Sequence, residues 1–392
     1  MLILIPTVST ANDAVLGYLL QLSSALGKLA GVHVFNGIDP VQLNEAVGLV
    51  STGRASHWVC FSNIGTMFES HEPVARAEAA RFLGDTRTRY CHVDLDHPAL
   101  IPNLIRSLPA GSLYTNSSGG LLPFARELTG EAVVAATFAH GAEDAGALPW
   151  AERDIDCLFA GNLGQSPDQI LREWDEGLPG MPPLGRRFLH AMREIHHGRD
   201  GWRLPPEQLL RKVNPASAWN IVDRPGDLFL LRQFDRYARA RARFDLIDKV
   251  RHAPVSFLGR GWDAHAGPNH RLLGGTDARG AMEVSRRARL ILNVTAPYYA
   301  SHERVFQALS MAAAVAGYAR DVLANATGRE QPADPVVTLD PWTIDESLCA
   351  LLADDAALRA RAEAGRDIFL AGHTWEHRAG AFLGLLETLP PL

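Results

Sequence analysis

The chain has 392 residues, of which 47% are hydrophobic and 21% charged, and its formal net charge at pH 7 is −6. This length suits two domains, the composition is that of a globular protein, and the acidic balance argues against a nucleic-acid partner. The four cysteines form no C-x-x-C pair, which argues against a disulfide scaffold or a zinc ribbon and predicts a reducing, cytoplasmic location.

The first half of the chain alternates short apolar runs with longer stretches of helical spacing, among them Val15–Leu29 and Pro73–Leu83. The predicted strands are Leu2–Pro6, Val32–Asn36, His57–Phe61, Tyr90–Val93, Ser112–Thr115 and Val133–Phe138. The first run is too short for a signal peptide, and no run approaches the ~18 apolar residues of a membrane span. Alternating strands and helices predict a parallel sheet with helices on both faces.

The pattern restarts near residue 153. Its predicted strands are Asp154–Phe159, Pro254–Leu258, Leu290–Val294, Ala312–Tyr318 and Pro335–Leu339. Between the first two lies a segment rich in Leu, Arg and Trp, about residues 165–250, which we interpret as a helical insertion. We therefore predict an α/β protein with two doubly wound, Rossmann-like parallel-sheet domains, residues 1–150 and 151–374, facing a central cleft. Ligands of such sheets bind beyond the carboxyl ends of the strands.

Two motifs follow predicted strands of the second half. Gly259-Arg260-Gly261 is a glycine turn that could hold a phosphate, although Pro268 and the absence of an acid in the strand ending at Asn293 argue against dinucleotide binding. The segment Ser301–Met311 reads as a helix with Ser301 as its N-cap and Arg304 in its first turn. An arginine there opposes the helix dipole, which makes sense if an anion lies between them.

The order of several motifs resembles the CgeB-like (spore-maturation type) glycosyltransferases. Asn293 at a strand end, followed by Ser301-x-x-Arg304-x-Phe306-x-Ala308, resembles the donor-binding signature of that family. The segments that agree in order are Cys91–Pro98, Arg153–Gly161, Val255–Trp262 and His373–Ala379. Gln307 stands where the family has an acid, and Met311 stands eight positions after Glu303, where many retaining enzymes have a second glutamate.

This resemblance implies a GT-B fold, in which the last helix, about residues 375–392, packs back on the first, acceptor-side domain. It also implies a metal-independent reaction without a cofactor, in which positive groups stabilise the leaving nucleoside diphosphate. The nucleotide-sugar donor would then be bound by the second domain. The expected donor-binding residues are Gly161, Asn162, Arg260, Gly274, Asn293, Ser301, His302, Glu303 and Arg304.

An inverting transfer needs a general base, which we expect from the first domain. Four side chains follow its predicted strands and are candidates: Asp13, Asp96, His97 and His140. Each also has an ordinary structural interpretation, and Asp13 in particular could cap the first helix.

The sequence leaves other functions open. His373-Thr374-Trp375-Glu376-His377 fits a metalloprotease pattern, but no third ligand follows, so we predict no metal site. The alternatives to transfer are a GT-B nucleotide-sugar epimerase or hydrolase and a non-catalytic nucleotide-sugar-binding protein. The acceptor could be a glycan, a lipid or a protein, and homo-oligomerisation stays open.

Overall fold

The computed structural model describes residues 1–7, 13–61, 88–218, 221–300, 302–318 and 335–389. They divide into two compact units, one made of residues 1–143 with the C-terminal segment from Gly372, and the other of Asp144–Ala371. The predicted helix Pro73–Leu83 lies outside the described residues. No helix of the described part is long and apolar enough to cross a bilayer.

Unit 1 contains a six-stranded sheet in the order β2-β1-β3-β4-β5-β6, with every neighbouring pair parallel. The strands are β1 (Leu2–Thr7), β2 (Gly31–Asn36), β3 (His57–Phe61), β4 (Arg89–Asp94), β5 (Leu113–Asn116) and β6 (Val134–Thr137). All five residues of β3 are buried, because a central parallel strand is covered on both faces. The six strands that the apolar runs predict in this half are therefore confirmed.

The described helices of unit 1 include one from the end of the chain. They are α1 (Asp13–Gly27), α2 (Pro40–Ser51), α3 (Pro102–Arg106), α4 (Leu122–Thr129) and α13 (Trp375–Glu387). Helix α13 packs on α1, where the indole nitrogen of Trp375 donates to Gln21 Oε1 at 2.6 Å and Lys28 pairs with Glu376 at 2.7 Å. The C-terminal helix thus completes the core of the unit that the N-terminal strand begins.

Unit 2 contains a second six-stranded parallel sheet, in the order β12-β11-β10-β7-β8-β9. The strands are β7 (Ile155–Ala160), β8 (Val255–Leu258), β9 (His270–Gly274), β10 (Ala288–Asn293), β11 (Ala314–Gly317) and β12 (Val336–Thr338). Two doubly wound parallel sheets confirm the predicted fold class. Strand β9 was not predicted, because this edge strand has no fully buried residue and hence no apolar run.

The described helices of unit 2 flank its sheet. They are α5 (Pro167–Glu176), α6 (Gly185–His196), α7 (Pro206–Val213), α8 (Pro225–Asp248), α9 (Ala278–Arg286), α10 (Glu303–Ser310), α11 (Ile344–Ala353) and α12 (Asp355–Gly372). Four of them, α5 to α8, occupy the segment between β7 and β8. The 24-residue α8 packs Phe244, Leu246 and Ile247 into the core cluster that also holds Phe159 of β7. The long insertion is thus part of the unit's core.

Candidate functional site

The loops that follow β7 and β8 fit closely into each other. Gly161 donates its N–H to Leu258 O at 2.8 Å, and its carbonyl accepts the indole N–H of Trp262 at 2.8 Å. Gly259 has φ +138°, and a Cβ there would lie 2.3 Å from Gly161 O. Gly261 has φ +88°, and a Cβ would lie 2.7 Å from Leu163 O. Both glycines of the Gly-Arg-Gly motif are therefore required by loop packing, whether or not a phosphate binds there.

Arg260 and Asn162 belong to the same loop pair. Asn162 Oδ1 accepts the backbone N–H of Arg260 at 2.9 Å. The exposed side chain of Arg260 runs past Gly275, where an added Cβ would lie 3.0 Å from Arg260 Cγ. Gly274 ends β9 with φ +75°, and its carbonyl accepts the N–H of Gly259 at 2.8 Å. The carboxyl ends of β7, β8 and β9 thus bring together four predicted donor-site residues: Gly161, Asn162, Arg260 and Gly274.

The N-cap of helix α10 lies one residue later than predicted. His302 is the N-cap, and its Nδ1 accepts the N–H of Arg304 at 3.3 Å, while its carbonyl accepts the N–H of Val305 at 3.1 Å. The assignment of Ser301 as N-cap is therefore wrong, and Ser301 itself lies outside the described residues. Because the His302 ring and carbonyl use these two backbone donors, an anion at this helix end would depend on side chains.

The guanidinium of Arg304 lies beside Gly161. Its Nη2 would be 3.5 Å from a Cβ on Gly161, its Cζ lies 5.1 Å from the centre of the Phe159 ring, and its Nη1 donates to Asn293 Oδ1 at 3.4 Å. Asn293 is the buried last residue of β10, so its amide helps to fix the arginine. Arg304, Asn293 and Gly161 are therefore joined at the carboxyl ends of the central strands β7 and β10, as the sequence predicts for an anion site.

A second arginine reaches this place from the insertion. Arg243 of α8 donates from Nη1 to Asn162 O at 2.8 Å, and no described carboxylate lies within 4.0 Å of it. Burial, together with the charges of Arg304 and Arg239, lowers the pKa of Arg243 to about 10, so it stays charged at neutral pH. The neighbouring Arg239, in contrast, forms an ion pair, since its Nε lies 2.8 Å from Asp235 Oδ2. The arrangement concentrates positive charge beside Gly161.

Sequence reasoning missed Arg243 because the insertion was treated as peripheral. A signal was nevertheless present, since Arg236, Arg239 and Arg243 follow each other at spacings of three and four and so share one face of a helix. The charge of Glu303 partly offsets the lowering of the Arg243 pKa. Glu303 also lies 3.1 Å from His302 Nδ1, with 23% of its side chain exposed.

The four candidate bases of unit 1 are spread along the carboxyl edge of its sheet. Asp13 is the first residue of α1, after β1, and its side chain lies outside the described residues. Asp96 and His97 follow β4, and His140 follows β6. Strand β3 separates β1 from β4, and β5 separates β4 from β6, so only Asp96 and His97 lie together.

Asp96 belongs to a network of polar groups at the ends of β4 and β5. Its N–H donates to Asp94 Oδ1 at 3.2 Å, and its carbonyl accepts from Asn116 Nδ2 at 2.8 Å. Tyr114 donates its hydroxyl to Asp94 Oδ2 at 2.7 Å. Burial, and secondly the charge of Asp96, raises the pKa of Asp94 to about 7. Asp94 is fully enclosed and orients this loop, whereas Asp96 is only partly buried.

The two histidines are more deeply buried. His97 has no exposed surface, and its Nδ1 accepts the N–H of Ala99 at 3.1 Å, which caps the short turn Pro98–Leu100. Burial, with the nearby charge of Arg378, lowers the pKa of His140 to about 3. A histidine with so low a pKa is a weak base at neutral pH. The catalytic role of these four residues stays a prediction, and the geometry favours Asp96 among them.

The histidine-rich segment at the start of α13 has structural contacts. His373 is buried against Arg378, and Thr374 caps the helix through the N–H of His377. Among the described residues, no three His, Cys, Asp or Glu side chains are placed to hold a metal ion.

Comparisons with known proteins point to one class of enzyme. Residues 239–384 match the family model described as "Glycosyl transferase-like". The matched segment includes Arg243, Arg260, Asn293 and Arg304. No curated protein matches the sequence.

Solved structures match over the whole chain. A glycosyltransferase from Rickettsia africae has a TM-score of 0.54 at 8% identity, covering 99% of this chain and 98% of its own. Anabaena Alr3699/HepE in complex with UDP has a TM-score of 0.52 at 9% identity, covering 99% and 100%. T4 phage BGT in complex with UDP-glucose has a TM-score of 0.50 at 9% identity, covering 100% of both chains. At these identities the likeness concerns the fold, which is GT-B.

Proposed function

We propose that the protein is a glycosyltransferase that moves a sugar from a nucleoside-diphosphate sugar to a glycan, lipid or protein acceptor, without a metal ion. The observation that carries this proposal is the convergence of Arg304 and Arg243 beside Gly161, at the carboxyl ends of β7 and β10. Two guanidinium groups held close together, with no described carboxylate within 4.0 Å of Arg243, are suited to a diphosphate, which accepts bidentate, charge-assisted hydrogen bonds.

The comparisons support the same ligand. Residues 239–384 contain both arginines and match a glycosyltransferase family. The Anabaena and T4 phage structures are complexes with UDP or UDP-glucose. We infer the finer CgeB-like assignment from the spacing of Asn293, Arg304 and Phe306, and a reducing, cytoplasmic location from four cysteines that form no disulfide.

The chemistry would divide between the two units. In unit 2, Arg304 and Arg243 would stabilise the charge that develops on the leaving diphosphate, which replaces the role of a metal ion. Asn293 would hold Arg304 in place. In unit 1, Asp96 would accept the proton of the acceptor hydroxyl, with Asp94, Tyr114 and Asn116 fixing the Asp96 backbone.

Nucleotide release is the measurement that tests this function. The purified protein is incubated with UDP-glucose, UDP-galactose, UDP-N-acetylglucosamine or GDP-mannose, with and without a panel of glycan and lipid acceptors. We expect nucleoside diphosphate to be released from one donor only when an acceptor is present, and at the same rate after treatment with EDTA. Turnover of the donor without an acceptor would indicate the epimerase or hydrolase. Donor binding without turnover would indicate a non-catalytic nucleotide-sugar-binding protein. Loss of activity with EDTA would contradict the metal-independent mechanism.

A further inference from the structure

Unit 2 contains a cavity on another face of α8 from Arg239 and Arg243. Its volume is about 320 Å³, and α8 contributes Ala238, Arg241, Ala242 and Asp245 to its wall. These positions recur every three or four residues, so they share one face of the helix. None of the proposed donor-site residues lines this cavity. Its size falls at the lower end of small-ligand pockets, where a single ring compound fits.

Aromatic rings form one side of the cavity. Trp202 stands edge-on to Tyr318 and to Trp342, with ring centres 5.6 and 5.8 Å apart. Trp342 is 37% exposed, and Arg199 and Lys249 lie 5.5 and 5.9 Å from its ring centre. Aromatic faces carry negative charge, so they attract the weakly positive C–H groups of an apolar ligand face.

The charged side chains in the wall of the cavity form ion pairs. Arg241 lies 2.5 Å from Asp245 and 2.8 Å from Asp248, and Lys249 lies 3.1 Å from Asp245. The two cations that line the cavity, Arg241 and Lys249, are thus both paired with carboxylates, whereas Arg243 beside Gly161 has no described carboxylate within 4.0 Å. A free phosphate would gain little here, whereas paired carboxylate and guanidinium groups can still accept from and donate to hydroxyl groups.

The wall also contains polar atoms that lack partners. Tyr318 Oη and His196 Nδ1 are buried and have no hydrogen-bond partner among the described residues. Burial lowers the pKa of His196 to about 3 and also lowers the pKa of His197, so both rings are neutral at pH 7. A neutral imidazole offers one donor and one acceptor, and a buried polar atom without a partner costs free energy that a ligand hydroxyl can recover.

We propose that this cavity binds a neutral saccharide, with one sugar ring against the aromatic side and its hydroxyl groups facing Arg241, Asp245 and Tyr318. A sugar ring combines an apolar C–H face with an edge of hydroxyl groups that both donate and accept, which matches this wall. The site is separate from the donor site, and the inference does not depend on the proposed transferase activity.

Saturation-transfer NMR with methyl glycosides of glucose, galactose, mannose, N-acetylglucosamine and rhamnose tests the proposal, with uridine and inorganic phosphate as competing probes. We expect at least one glycoside to bind, and Trp342→Ala to weaken it at least tenfold. Tyr318→Phe removes only a hydroxyl and should weaken it severalfold. Trp150→Ala is the matched control, because Trp150 is another unit 2 tryptophan flanked by arginines but does not line the cavity.

Arg304→Ala separates this cavity from the donor site and should leave glycoside binding unchanged. The proposal is overturned if no glycoside binds, or if Trp342→Ala and Tyr318→Phe both bind as tightly as the wild type. It is also overturned if Arg304→Ala abolishes glycoside binding, or if uridine or phosphate displaces the glycoside from the wild-type protein.

Discussion

Arg243 is a residue whose immediate surroundings support the proposed donor site. Its guanidinium is partly buried near two other arginines, with only a backbone carbonyl as a described hydrogen-bond acceptor. Burying a charge beside like charges is unfavourable, and the anionic ligand proposed for this site would offset that cost.

Replacing Arg243 by alanine should weaken UDP binding at least tenfold, because one charge-assisted contact contributes about 1.5–3 kcal/mol. The free energy of unfolding should not fall, since the substitution removes repulsion from Arg304 and Arg239. Isothermal calorimetry and urea denaturation measure the two effects. The control is Arg232→Ala, because Arg232 is an exposed arginine of the same helix. Equal UDP affinities for the Arg243→Ala and Arg232→Ala variants would show that Arg243 does not belong to the site.

Asp94 provides a prediction on pH. Its folded pKa of about 7 is above the unfolded value of 3.8. Its contribution to stability is therefore fully present below pH 3.8 and is lost as the pH rises to 7, at a limiting rate of about 1.4 kcal/mol per pH unit.

Asp94→Asn should remove this pH-dependent contribution to the free energy of unfolding. Urea denaturation of both proteins between pH 4 and pH 8 measures it as the difference in unfolding free energy. The difference should shift in favour of Asp94→Asn as the pH rises. A difference that does not change with pH would show that Asp94 titrates normally.

At the scale of elements, buried strands could be predicted and irregular features could not. Strand β3 is apolar because both faces of a central parallel strand are covered, whereas the exposed edge strand β9 carries no such pattern. The proximity of Asn293 and Arg304 was predictable because Asn293 ends strand β10 and Arg304 follows that strand in the sequence. The position of Arg243 could not be predicted, because it depends on how the 24-residue helix α8 packs against the rest of unit 2. The cap at His302 was missed because serine is the commoner N-cap residue.

The interlocked loops after β7 and β8 yield a prediction about an element junction. Gly259→Ala should destabilise the protein by about 2–3 kcal/mol and weaken UDP binding, because its Cβ would meet the Gly161 carbonyl and φ is positive. Gly164→Ala is the matched control, since its Cβ would meet no atom within 4 Å. Thermal and urea unfolding compare the two variants, and equal stabilities would contradict the required close approach.

At the scale of the whole molecule, buried histidines are unevenly distributed. Burial lowers the pKa of four of them in unit 1, to about 4 for His57 and His92 and to about 3 for His140 and His373. Among the described histidines of unit 2, burial lowers the pKa of His196 to about 3 and also lowers the pKa values of His197 and His270. A lowered folded pKa gives stability that is present above the unfolded value of 6.5 and is lost as the pH falls toward 3 to 4.

Unit 1 should therefore lose its structure first on acidification. Hydrogen exchange measured by mass spectrometry at pH 7, 6, 5 and 4, corrected for intrinsic rates, should show protection falling in β3 and β4 before β7 and β10. His92→Phe should delay the loss, because both ring nitrogens of this buried histidine have no described partner. Simultaneous loss in both units would contradict this assignment.

The central claim is that Arg304 binds the diphosphate of a nucleotide-sugar donor. Calorimetric titration of UDP into the wild-type protein, Arg304→Ala and Arg304→Lys tests this claim most directly. GDP and ADP serve as further titrants. We expect Arg304→Ala to bind at least tenfold more weakly, since each ~1.4 kcal/mol is a factor of ten. Arg304→Lys should recover little, because lysine cannot offer two parallel donors. The unfolding free energy should change little, as an arginine in the first turn opposes the helix dipole. Equal dissociation constants for wild type and Arg304→Ala would contradict the account.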